Sequence, residues 1–252
     1  MYVGGNVVLA AAGNLEHERL LELMGRVDAH RGITDARPAR PLLVAPPPPS
    51  VRFAAKDTEQ YHVCLGAPAV SRSDPRRFAA SLLDAILGGS ASSRLFQEIR
   101  EKRGMAYSVY SFASQYTDSG LVGIYVGTRE ENLATCFEIV AEQVAELAAG
   151  RLRDAELDRA KENLKGRTVL AMESTATRMS RLGKSIVTAT ELLSLDRLIA
   201  EIDAVEPEAV AELAAELLFP ETLSAAGIGP SAERFAEAVA RISPGLVARA
   251  AA

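Results

Sequence analysis

Gly88-Gly89-Ser90-Ala91-Ser92-Ser93-Arg94-Leu95-Phe96-Gln97-Glu98-Ile99-Arg100-Glu101-Lys102-Arg103-Gly104-Met105-Ala106-Tyr107 is the stretch on which the reading of this chain turns. Two glycines and a serine make a flexible entry. Leu95, Phe96 and Ile99 then give the apolar stripe of a short helix lying on a core. Glu98 and Lys102 stand four apart with the acid first, the favourable orientation on a helix. Arg100, Lys102 and Arg103 crowd the last turn, at the negative end of the helix dipole. Gly104 occupies the place where a left-handed residue ends such a helix. Residues 105–116 are rich in aromatic and small side chains and read as a strand. Thr117-Asp118-Ser119-Gly120 turns that strand back into 121–126, which predicts an antiparallel hairpin.

Working outward, residues 51–70 read as strand, interrupted by the polar run Lys56-Asp57-Thr58-Glu59-Gln60 and ended by Pro68. Asp74-Pro75 starts a helix with proline at its first position, carrying Phe78, Leu82, Leu83 and Ile86. Downstream, Thr128-Arg129-Glu130-Glu131 has the form of a capping box. It predicts a helix with Leu133, Phe137, Val140, Val144 and Leu147 on one face, stopped by Gly150. Asp154 opens the next helix, which runs on to Met172, and Ser174 caps another through Met179, Leu182 and Ile186. Two more are expected over 192–202 and 207–218, then a closing strand over 223–229. Strands, then helices, then a strand predict an α+β fold with a mostly antiparallel sheet and helices on one face.

Towards the N-terminus, residues 6–12 read as a short buried strand, and a helix over 15–27 turns Leu20, Leu21, Leu23 and Met24 inward. One strand and one helix cannot bury both their faces, so this unit belongs to a larger layer. Residues 28–50, with Pro38, Pro41 and Pro46-Pro47-Pro48-Pro49, form an extended linker. The expected division is therefore 1–27 as a strand-helix remnant of a preceding domain, 28–50 as linker and 51–252 as the main domain.

At 48% hydrophobic and 24% charged residues, the composition supports a sizeable core. A net charge of −5 with both signs interspersed offers nothing to nucleic acid. No run of eighteen apolar residues and no leader pattern is present, which predicts no membrane span and a cytoplasmic setting. Cys64 and Cys136 lie in apolar stretches without CxxC spacing and read as buried free thiols.

A catalytic metal site needs three converging protein ligands. The histidines are His17, His30 and His62, and none has a partner at a metal-binding helical spacing. His62 and Cys64 share one strand face, two ligands without an evident third. No metal ligand and no catalytic residue is therefore assigned. No nucleophile elbow, phosphate loop or dinucleotide fingerprint is present.

The stretch from Gly88 to Ser111 resembles the C-terminal half of the insulinase, pitrilysin and mitochondrial-processing-peptidase family, in its bacterial processing-peptidase-like branch. The resemblance covers more than twenty consecutive positions and extends more weakly over residues 1 to about 228. Those proteins are zinc peptidases whose inverted H-x-x-E-H motif lies in the N-terminal half. The resemblance implies a metallopeptidase-like fold here, with zinc held in a half that this chain lacks. It also implies that the chain is truncated and inactive alone. The implied partners are a peptide or unfolded-protein substrate and a catalytic half or homologous zinc-binding chain, in an oligomer. The alternative implied role is a non-catalytic core-type subunit shaping a cavity. In the family an arginine and a tyrosine seven positions apart reach towards the substrate, and the matching pair is Arg100 and Tyr107. Taken singly, Arg100 is one of three cations at a helix end and Tyr107 a strand aromatic; their joint spacing sets them apart. The loop 88–93 is either a plain helix entry or a backbone surface for an extended substrate.

Overall fold

The computed structural model describes residues 7–28 and 45–251. His30, Pro38, Pro41 and most of the linker lie outside them. The sheet has the order β1-β5-β2-β4-β3, built from β1 (Val51–Ala55), β2 (Tyr61–Ala69), β3 (Ala106–Gln115), β4 (Gly120–Thr128) and β5 (Ser224–Gly229). β1 and β5 are parallel and every other pairing is antiparallel. The predicted α+β fold and the hairpin of β3 and β4 are both present.

Alternation decides which face is covered. Tyr61, Val63, Leu65 and Ala67 of β2 point inward with Val122, Ile124 and Val126 of β4. Against that face pack α2 (Arg77–Leu87), α3 (Glu130–Ala148), α7 (Pro207–Leu217) and α8 (Ala232–Ala240). The stripe expected on α3 is buried in full, and Phe137 has no exposed surface. Burying a side chain of that size stabilises the fold by about 1.5–3 kcal/mol. Tyr61 ties strand to helices, its hydroxyl donating to Glu130 Oε2 at 2.8 Å and accepting from Ser231 N at 3.0 Å. Around this layer run α4 (Glu156–Glu173), α5 (Thr175–Val187) and α6 (Leu195–Asp203). Ser174 caps α5 as expected, accepting from Thr177 N at 3.3 Å.

Several expectations are corrected. Residues 7–12 make no strand. They run beside α5 instead, with a Cβ on Gly183 coming within 3.3 Å of Ala10 Cβ, and they find no strand partner among the described residues. On α1 (His17–Asp28), Leu21 and Leu23 are exposed rather than inward, because nothing among the described residues covers that face. α2 begins at Arg77, since Asp74 first accepts from Arg76 N at 2.8 Å and holds the chain in a turn. The capping box does not form, because the Thr128 hydroxyl donates to the Met105 carbonyl at 2.6 Å. α4 starts at Glu156, after Ala155 in a left-handed conformation. β5 is not the last element either: α8 and α9 (Pro244–Ala251) follow it. Cys136 is buried, but Cys64 lies on the open face of β2, where alternation places it; both are free thiols.

Candidate functional site

The helix expected after the Gly-Gly-Ser entry is present, but most of it is wound as a π-helix over Phe96–Glu101. Lys102 N donates to Gln97 O at 3.0 Å, a five-residue step. Such widened turns occur often at functional sites. Gly104 ends it with φ +62°, donating to Arg100 O at 3.0 Å, the left-handed cap that its position predicts. At the entry, Gly88 lies against β3 so closely that a Cβ would fall 2.2 Å from Ser111 N. Only glycine fits there.

The strand that follows is also irregular. Ala106 pairs with Thr128 and Ser108 with Gly127, so Tyr107 is the extra residue of a β-bulge. A bulge re-aims a side chain; here Tyr107 is 78% exposed while Ala106 and Val109 on either side of the bulge stay buried. The two irregularities bring the seven-spaced pair together. The Arg100 guanidinium carbon sits 4.8 Å from the centre of the Tyr107 ring and 4.7 Å from that of Phe96. Stacking on two aromatic faces holds a guanidinium's plane while leaving its N–H groups in that plane available. Arg100 Nε lies 3.6 Å from Glu101. Among the described residues the Tyr107 hydroxyl has no hydrogen-bond partner.

Buried ion pairs hold this segment. Arg94, 1% exposed, donates through Nε and Nη2 to Glu156 at 2.9 and 2.7 Å. It also donates to Glu146 at 3.2 Å and to the Arg151 carbonyl at 2.7 Å. Burial opposes charge on Glu156, yet the Arg94 fork keeps its carboxyl below the usual range. Glu98 makes the expected pair with Lys102 at 2.7 Å and also meets Arg103 at 2.7 Å and Arg153 at 3.2 Å. Burial pushes the Glu98 carboxyl up, but hydrogen bonds from Lys102 and Arg103 and the charge of Arg153 outweigh it and hold the group at about 2.

That shift gives a prediction of sign and window. The folded form binds the Glu98 proton less readily than the unfolded form, where the value is 4.5. The pair therefore stabilises fully above pH 4.5 and is lost as pH falls from there to about 2. The loss is at most about 3 kcal/mol, and less because Lys102 and Arg103 are half exposed to solvent. Denaturation of Glu98→Gln against pH should show a flatter acid limb than the parent. An unchanged limb contradicts the assignment.

On the open sheet face, His62 Nδ1 lies 2.6 Å from the Tyr125 hydroxyl, and Tyr125 stacks on Tyr110 at 4.9 Å. Cys64 shares the face, and burial pushes its thiol up, away from the thiolate that a metal takes. Zinc does not fit these residues: His62 is engaged by Tyr125, and among the described residues no three His, Cys, Asp or Glu side chains are placed to hold a metal ion. The described residues also include no helix long and apolar enough to cross a membrane.

Sequence reading missed the buried role of Arg94 and the second stacking partner, Phe96. The signal for the first was a lone arginine beside Leu95, inside an apolar stripe.

The model of the peptidase M16 inactive domain matches residues 1–164. A protein called an uncharacterized zinc protease in Streptomyces coelicolor is 39% identical over 219 residues, 84% of this chain and 48% of that protein. One so called in Bacillus subtilis is 37% identical over 231 residues, 91% of this chain and 55% of that protein. Among solved structures, the peptidase M16 inactive domain from Pseudomonas fluorescens is 26% identical with a TM-score of 0.76, over 87% of this chain and 52% of that one. The chain thus spans about half the length of the curated relatives it matches.

Proposed function

The chain belongs to the peptidase M16 family through its inactive C-terminal domain, and on that premise we propose that it forms the substrate-facing half of a zinc metalloendopeptidase of the processing-peptidase type. The zinc motif then belongs to a catalytic half or a homologous partner chain, as the relatives' zinc-protease names suggest. Residues 1–27, with the helix α1, are in this reading a remnant of that other half, joined by the linker 28–50 to the domain of 51–252. The substrate is a peptide or unfolded protein segment, and the setting is the cytoplasm.

The observation that carries the reading is the stack of Arg100 between Phe96 and Tyr107, built by a π-turn and a bulge. A purely structural subunit has no need of an exposed phenol with an unengaged hydroxyl beside an ordered guanidinium. Arg100 suits a substrate carbonyl or carboxylate, and Tyr107 suits a developing oxyanion. Metal analysis and peptide hydrolysis on the purified chain test the division of labour. The expected result is no stoichiometric zinc and no cleavage of an unstructured peptide. One tightly held zinc per chain, lost in His62→Ala, would overturn it.

A further inference from the structure

Between α2 and α4, and bounded by α5 and α6, lies a crevice of about 600 Å³ that the reading above does not use. Its size falls within the range of small-ligand sites. Three arginines from separate parts of the chain line it. Arg72 comes from the turn after β2, fixed where its backbone N–H donates to the Tyr116 carbonyl at 2.8 Å. Arg167 comes from α4 and Arg181 from α5. Gln115 and Asn163 add amide groups to the wall.

The charges in this crevice do not balance. Its one carboxylate is Asp84, whose Oδ1 already accepts from Ser111 Oγ at 2.5 Å; burial favours its neutral form and outweighs the opposing Ser111 hydrogen bond and Arg167 charge, so one partly neutralised acid faces three guanidiniums. Arg181 is held by the Leu193 carbonyl, a neutral acceptor. Among the described residues, the guanidiniums of Arg72 and Arg167 have no hydrogen-bond acceptor at all. Arg76, Arg94 and Arg153, by contrast, are each paired directly with carboxylates. Arg72 and Arg181 are half-buried, where a guanidinium without an anion is costly, while Arg167 is exposed at the rim; the planar fork of each matches a carboxylate or phosphate oxygen pair.

We propose that this crevice binds a small polyanion carrying two or more carboxylate or phosphate groups, recognised by Arg72, Arg167 and Arg181. The site stands independently of the peptidase reading. Calorimetric titration of the whole chain with citrate and, separately, with pyrophosphate tests it, at constant ionic strength held with chloride. Saturable binding at millimolar concentration or below is expected for at least one, and which of the two binds more tightly separates the carboxylate from the phosphate source. Arg72→Gln with Arg167→Gln should weaken that binding by about tenfold or more, with the melting temperature unchanged. Arg167→Gln alone, at an exposed position, should weaken it measurably even if the double variant folds poorly. Arg52→Gln with Arg129→Gln, exposed and outside the crevice, should leave it intact. Failure of both anions to bind, binding unchanged in Arg167→Gln, or equal loss in the Arg52 and Arg129 variant would each overturn the proposal.

Discussion

Arg94→Met should cost about 3–5 kcal/mol of stability, on the order of ten degrees in melting temperature for a chain of this size. The side chain is fully buried and meets two glutamates and a carbonyl at 2.7–3.2 Å. Removing it leaves Glu156 with 9% of its side chain exposed and only the Arg153 backbone N–H, at 3.0 Å, as a donor. Without Arg94 only the backbone N–H and the charge of Arg153 oppose burial at Glu156, so its carboxyl should rise. Removing both partners should do less harm, because most of the cost is the charge left behind. Arg94→Met with Glu156→Leu is therefore expected to recover much of the loss. Chemical denaturation of the two variants checks this; a single variant within about 1 kcal/mol of the parent contradicts it.

That clamp also marks where sequence reading stops. Glu98 and Lys102 were legible because their spacing on a helix is local. The partners of Arg94 lie 52 and 62 residues away, and no periodicity encodes them. Gly104 and Ser174 declared their caps because each acts within its own turn. Thr128 did not cap α3, since its hydroxyl is taken by Met105 across 23 residues. The apolar face of α3 was plain, whereas residues 7–12 have strand-like composition and no strand to pair with among those described. At the candidate site, the seven-residue spacing of Arg100 and Tyr107 was visible. The π-turn and the bulge that join them were not, because both are choices of hydrogen-bond register made against Gln97 and β4. Phe96 was read as core, yet it also forms one face of the Arg100 stack.

The stack leads to the second large effect. On the function proposed above, in a protein that joins this chain to a half carrying H-x-x-E-H, Arg100 and Tyr107 would face the scissile region of a bound peptide. If the Tyr107 hydroxyl donates to the oxyanion, its loss removes an interaction made chiefly in the transition state. Turnover should fall by about 10²–10³-fold, or about 3–4 kcal/mol, with substrate affinity nearly kept. The ring itself remains in Tyr107→Phe, so the stack on Arg100 and the bulge persist. Arg100→Ala should act instead on substrate affinity, with the smaller effect on turnover. The decisive measurement is kcat of Tyr107→Phe against the parent in that joined protein, with the melting temperature followed alongside. The account predicts an unchanged melting temperature and a fall in kcat of at least about a hundredfold. A variant that melts like the parent and turns over at the parental rate would contradict it.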